Sequence, residues 1–244
     1  MDATFTSPYM YMIGMDTDGA SDAQLEAFNR FYNDIHMGEV VAMNPGFLRA
    51  HRYELAKPDP RGDFGPRWLA VYEMADEKAA ATYSARNDGP PESRPTYTAV
   101  PDAWRETAKA RWRIIWHRIA EAGALEEPPY SIFLVGIDPP TGASDAAIAE
   151  FNEFYTNVHV GEVMGASNYS RGTRWEQERA FVHPDPGCPR YLANYEADDV
   201  TGKELEANPP RPAGLSVGPV VWQEHTTPWR LVYNRVHSYT PGEE

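Results

Sequence analysis

Two short stretches of this sequence place chemically capable side chains at the same spacing. Tyr32, His36 and Glu39 are separated by four and three residues, and so are Tyr155, His159 and Glu162. On an α-helix such positions share one face. A carboxylate beside an imidazole raises its basicity and fixes its orientation, while a tyrosine hydroxyl supplies a second proton or steadies an enolate oxygen. The trio suits general acid–base catalysis, with His36 and His159 as acid or base and Tyr32, Tyr155, Glu39 and Glu162 assisting. Read as structure alone, the same tyrosines and histidines close one end of the fold through hydrogen bonds.

Other chemistries are less well served. A metal site would add His51 or His117 to the His36/Glu39 pair, but Thr173 and Asn234 stand at those places in the second stretch. Haem would need His51 or His117 as proximal ligand, and there is no Cys-x-x-Cys-His attachment. No dinucleotide-type glycine pattern or Walker lysine is present, and no nucleophile-elbow serine is expected. The expectation is a site that works without cofactor or metal.

The histidines lie within a long internal repeat. Ala20–Val40 recurs as Ala143–Val163 with twelve of twenty-one positions identical. Arg49, Arg52 and Glu54 answer to Arg171, Arg174 and Glu176, the segment 67–73 to 190–196, and Trp104 and Trp112 to Trp222 and Trp229. A period of about 120 residues marks a duplicated domain rather than a solenoid unit. The expected division is 1–122 and 123–244, with Ala120–Pro129 as linker.

Each copy reads as strand, helix, strand, strand, helix, strand. Tyr9–Met15 and Tyr130–Ile137 are short, apolar and followed by turn residues. Ser21 and Gln24 form a capping box ahead of Leu25, Phe28, Tyr32 and Ile35, which recur at helical spacing. Phe47–Glu54 and Arg67–Glu73 are the next strands, and Asp76–Ala85 the second helix. In Arg111–His117, Trp112, Ile114 and Trp116 alternate with Arg111, Arg113, Ile115 and His117. Proline-rich insertions, Gly89–Pro101 and Asn208–Pro219, are expected to form loops or lids.

A βαββαβ unit is ferredoxin-like, an α+β sheet with both helices on one face. Two copies cover each other's bare faces by packing sheet to sheet as a pseudo-symmetric α/β barrel, which predicts a space between the sheets. Arg49, His51, Tyr53, Trp68, Tyr72, Trp112 and Arg171 are the expected lining, an aromatic wall with polar handles suited to a flat ligand.

The helix Phe28–Val40, the following Asn44–Glu54 and the strand Arg67–Glu73 resemble the dimeric α/β barrel superfamily, close to its EthD-like branch, and the likeness covers most of both copies. That resemblance implies a tandem barrel. It also implies an activity of the kind seen in polyketide cyclases, muconolactone-type isomerases, dehydratases, decarboxylases or cofactor-free monooxygenases of phenolic substrates; other members bind haem. The second copy departs at Ala166–Tyr169, where the first has Pro45-Gly46-Phe47, and at Thr173, where the first has His51.

The rest of the composition bounds partners. Thirty-six acidic against twenty-two basic residues give a net charge of -14, a poor match to nucleic acid. No stretch is apolar enough to span a membrane, the start lacks a leader pattern, and one cysteine permits no internal disulfide, so a cytoplasmic location is expected. The expected function is cofactor-independent acid–base chemistry of isomerase, cyclase, dehydratase or lyase type on a hydrophobic aromatic or polyketide-like small molecule. The rivals are a cofactor-free monooxygenase and a non-catalytic binding protein. A tandem chain is expected to be a monomer or homodimer.

Overall fold

The computed structural model describes residues 5–207 and 213–242. Its first half runs β1 (Tyr9–Thr17), α1 (Asp22–Phe31), a π-helical turn (Tyr32–His36), α2 (Met37–Met43), β2 (Phe47–Lys57), β3 (Trp68–Met74), α3 (Glu77–Asp88), α4 (Asp102–Thr107) and β4 (Ala108–Gly123). The second half repeats the order as β5 (Ser131–Asp138), α5 (Asp145–Phe154), a π-helical turn (Tyr155–His159), α6 (Val160–Ser167), β6 (Arg171–Val182), β7 (Tyr191–Ala197), α7 (Asp199–Ala207), α8 (Val220–Gln223) and β8 (Thr226–Tyr239).

Local chemistry explains the starts of these elements. Ser21 Oγ accepts from the Gln24 amide while the Gln24 side chain accepts from the Ser21 amide, closing the expected capping box. Asp76 caps α3 through the Ala79 amide. The expected unbroken first helix is instead interrupted in each half by the π turn that holds the tyrosine and histidine. Of the second proline-rich insertion, residues 208–212 lie outside the described residues; 213–219 are irregular and lead into α8.

The eight strands close into one antiparallel barrel in the order β1-β3-β2-β8-β5-β7-β6-β4. Within each half the order, 4-1-3-2 and its counterpart 8-5-7-6, follows from a βαββαβ connection. The halves join at two seams, β2 against β8 and β4 against β6. Residues 120–123, expected in the linker, continue β4 and pair with β6, so the connection between the halves begins after Gly123.

Strand alternation divides the core into three. Met10, Met12, Leu69, Val71 and their neighbours point into the barrel with the fully buried Trp112, Trp116, Trp175 and Trp229. Trp112 and Trp229 stack at 4.9 Å, and Trp229 lies flat on Gly136, where a Cβ would come within 2.7 Å of the indole. An eight-stranded barrel is just wide enough for side chains to fill. The space expected between the sheets is therefore occupied by tryptophan. The other two clusters lie between the outer barrel wall and the helices of each half. No helix among the described residues is long and apolar enough to cross a membrane.

Candidate functional site

The expected lining residues fall in three separate places. Tyr53 and Trp112 belong to the packed barrel interior. Trp68 and Tyr72 point the other way, under the first-half helices. Arg49, His51 and Arg171 sit in a polar layer at one end of the barrel with the buried Glu73 and Glu196. The expected aromatic wall does not form, because a strand's odd and even residues face opposite sides.

The polar layer is closed by the chain itself. Phe5 is fully buried and meets Trp175 edge-on at 6.3 Å. Glu73 accepts from the amides of Phe5 and Ser7 at 3.0 and 2.9 Å, while Arg118 and Arg171 donate to the Phe5 carbonyl. Burial, reinforced by Glu73 and opposed by Arg171, pushes the Glu196 carboxyl up to about 8. His51 shares its Nδ1 with Ser238 Oγ at 2.8 Å, and burial lowers it to about 3. His117 lies on the outer wall beside Tyr9, 3.8 Å from Glu176 and 3.3 Å from Glu178. His51 and His117 thus lie on opposite faces of the barrel wall. No metal-ligating cluster of three occurs among the described residues.

The Tyr-x3-His pairs do come together. Ring centroids lie 5.2 Å apart in both Tyr32–His36 and Tyr155–His159. A buried arginine pins each π turn: Arg52 binds Asn29 and Asn33 beneath Tyr32, and Arg174 binds Asn152 and Thr156 beneath Tyr155. A π turn inserted in an α-helix is a recurrent feature of functional sites. The glutamates behave differently. Glu39 binds the amide and hydroxyl of Thr98, and Glu162 does the same to Ser216. Each carboxylate thus ties down the segment before α4 or α8, and neither imidazole Nδ1 has a hydrogen-bond partner. Gly214-Leu-Ser216-Val-Gly218 does have the Gly-x-Ser-x-Gly spacing, contrary to the expectation of none. Ser216 precedes α8 in an exposed irregular segment and serves Glu162, so the strand-to-helix context of a nucleophile is missing.

The two halves part company at the imidazoles. His36 has Tyr97 at 5.3 Å and Trp104 at 5.1 Å, whereas His159 has Trp222 at 4.4 Å and Leu215 in the place of Tyr97. His159 lines a cavity of about 470 Å³ between the outer wall of the second half and its helices. The floor is apolar, formed by Phe133, Val135, Ile137 and Val232. The polar groups are His159, His225, Tyr155, Tyr169, Tyr195, Ser167, Thr227 and Arg230. Burial lowers His159 to about 4, with Glu162 opposing and His225, Arg174 and Arg230 adding to the shift. The ring is therefore neutral at neutral pH. His225 stacks on Trp222 at 4.3 Å and shares Nδ1 with the Trp222 carbonyl. A carbonyl only accepts, so Nδ1 carries the proton and Nε2 keeps a lone pair in the neutral ring. Burial raises Tyr195 well above its ordinary value, with Tyr155 adding to the shift.

His225, Ser167, Tyr195 and Arg230 escape the sequence reading, which looks for a cavity between the sheets. The signal that finds them is the smaller residue in the second copy: Val135 for Ile13 and Val232 for Ile115 at strand positions, and Leu215 for Tyr97 in the irregular segment before α8.

No family model matches the chain, and no curated protein matches its sequence. Solved structures are similar in fold. A dye-decolorizing peroxidase from Bacteroides thetaiotaomicron aligns at TM-score 0.50 and 9% identity, over 94% of this chain and 93% of that one. A chlorite dismutase variant from Candidatus Nitrospira defluvii aligns at 0.48 and 6%, over 95% and 92%. A monooxygenase candidate from Lactobacillus acidophilus aligns at 0.44 and 12%, over 97% and 98%. At these identities the likeness is one of architecture, and the chain shares the ferredoxin-like α+β barrel fold.

Proposed function

We propose that the chain is an enzyme performing cofactor-independent, histidine-based acid–base chemistry on a hydrophobic aromatic or polyketide-like small molecule, bound in the second-half cavity. The observation that supports this reading is His159. Its Nδ1 is buried without a partner, on a neutral ring that borders an apolar cavity of about 470 Å³. A neutral imidazole accepts a proton from an acidic C–H or O–H of the ligand. The oxyanion formed beside it then favours the imidazolium and raises the depressed basicity, while Arg230 and the tyrosine hydroxyls are the available donors to that oxygen. Isomerisation, cyclisation, dehydration and lyase outcomes all pass through such an enolate.

Incubation of the protein with phenolic and polyketide-like compounds, read by mass spectrometry, tests the reading. His159→Gln is expected to lower turnover by about 100-fold or more, the usual worth of a general base, while His36→Gln leaves it unchanged. A folded His159→Gln variant with full turnover would sink the assignment. Stoichiometric oxygen uptake would assign the reaction to a cofactor-free monooxygenase instead. A plain binding protein is the second reading. It is favoured by the commitment of Glu162 to Ser216, which leaves the imidazole without a carboxylate partner. Unchanged recovery of every bound compound would support it.

A further inference from the structure

In the first half the equivalent arginine is held by the chain's own side chains. Arg113 follows Trp112 on β4 as Arg230 follows Trp229 on β8, and the two tryptophans pair with Gly14 and Gly136. Arg113 donates to the Tyr11 hydroxyl at 2.9 Å, to Asn87 Oδ1 at 2.6 Å and to the Tyr83 hydroxyl at 3.4 Å. The counterpart of Tyr11, three residues before the glycine, is Phe133, which has no oxygen. Arg230 is exposed where Arg113 is half-buried, and among the described residues its guanidinium has no hydrogen-bond or ion-pair partner in the protein; only its backbone amide is engaged, by Asp59.

A second pair of positions repeats the pattern. Asn44 lies eight residues after His36 and donates to the Tyr97 hydroxyl at 3.0 Å. Ser167 lies eight residues after His159, is 2% exposed and lines the cavity, and its Oγ has no partner. The residue facing it in the role of Tyr97 is Leu215, placed by the neighbouring Ser216 as Tyr97 is placed by Thr98. At these two positions the second half lacks a tyrosine hydroxyl that the first half has and keeps a group able to bind it, while Tyr169, standing in the place of Phe47, adds one hydroxyl to the cavity lining. A buried hydroxyl left unpaired is destabilising, and a ligand oxygen would satisfy it.

We propose that the cavity takes a planar aromatic ligand carrying two oxygen functions, one accepting from Arg230 and one meeting Ser167, so that the ligand replaces what Tyr11 and Tyr97 supply in the first half. Arg230 offers only donors, so its ligand atom is an acceptor: a carboxylate, phenolate, phenol or quinone oxygen. Ser167 both donates and accepts, and selects a hydroxyl or carbonyl. The inference rests on the reading of this cavity as the functional site and adds the class of ligand to it.

Calorimetric titration of the full chain with 6-hydroxy-2-naphthoate, 2-naphthoate and naphthalene tests it. The expected order of affinity is hydroxynaphthoate, then naphthoate, then naphthalene. Arg230→Gln is expected to weaken hydroxynaphthoate by about tenfold or more, and Ser167→Ala by about two- to tenfold, without weakening 2-naphthoate in the second case. Leu215→Tyr, which restores the first-half arrangement, is expected to abolish binding of all three; Leu215→Phe fills the same space if the tyrosine variant does not fold. Equal affinity for naphthalene and hydroxynaphthoate, or binding indifferent to all the variants, overturns the proposal. Probe binding with the expected pattern but no turnover of any compound keeps this inference and removes the enzyme reading. Turnover that depends on His159 yet survives Arg230→Gln and Leu215→Tyr does the reverse.

Discussion

Glu196 is a carboxyl with no exposure to solvent, held near Arg171 at 3.5 Å and hydrogen-bonded by Asn194 at 2.9 Å, in a layer that already contains Glu73. Its folded value near 8 stands well above the unfolded value of 4.5. Between those two values the folded chain holds a proton that the unfolded chain has lost. Stability contributed by this group is therefore full at pH 4.5 and below, and falls as pH rises toward 8, by at most about 1.4 kcal/mol per unit. From pH 6 to pH 8 the loss is about 2 kcal/mol, because deprotonation of the folded state has begun at the upper end. Glu196→Gln removes the titration while keeping an oxygen for Asn194. Urea unfolding of both proteins from pH 5.5 to 8.5 is the assay, since every other group cancels in the difference. The variant is expected to gain about 2 kcal/mol on the wild type between pH 6 and pH 8. A difference independent of pH would show that Glu196 is ionised in the folded barrel and that Arg171 outweighs burial.

Phe5→Ala empties a fully buried site in the barrel mouth and is expected to cost about 3–5 kcal/mol in urea unfolding; a loss under about 1 kcal/mol would show that the segment does not stay seated. For His159, the pH dependence of kcat/KM is expected to rise with an apparent value near 4 rather than 6.5, because burial disfavours the imidazolium in the free protein. An ascending limb at 6.5 would contradict the burial of the ring. At Gly46, where φ is +85° and a Cβ would stand 2.5 Å from that of Ala79, alanine is expected to cost more than about 1 kcal/mol. Unchanged unfolding would show that the turn before β2 adapts.

Much of the architecture is legible in the sequence because it is written twice. The repeat of Ala20–Val40 at Ala143–Val163 and the alternation of Trp112, Ile114 and Trp116 give the strands, their order and the inward face. Periodicity does not give barrel closure, which depends on the β2–β8 and β4–β6 registers, or the volume of four indoles in a narrow interior. A π turn is equally invisible to a spacing rule, since Tyr32 and His36 read as one helical face whether the turn has four residues or five. The glutamates mislead for a different reason. Glu39 and Glu162 are drawn to Thr98 and Ser216, 59 and 54 residues away and beyond the reach of local pattern.

The barrel closes only because each half lends its two edge strands to the other. Joining the first half of one molecule to the second half of another would use the same two seams, which is the geometry of a domain exchange. The connection 124–130 keeps the intramolecular pairing at an effective concentration on the order of millimolar. A cleaved connection would turn the fold into a two-component assembly whose cavity appears only when its parts meet.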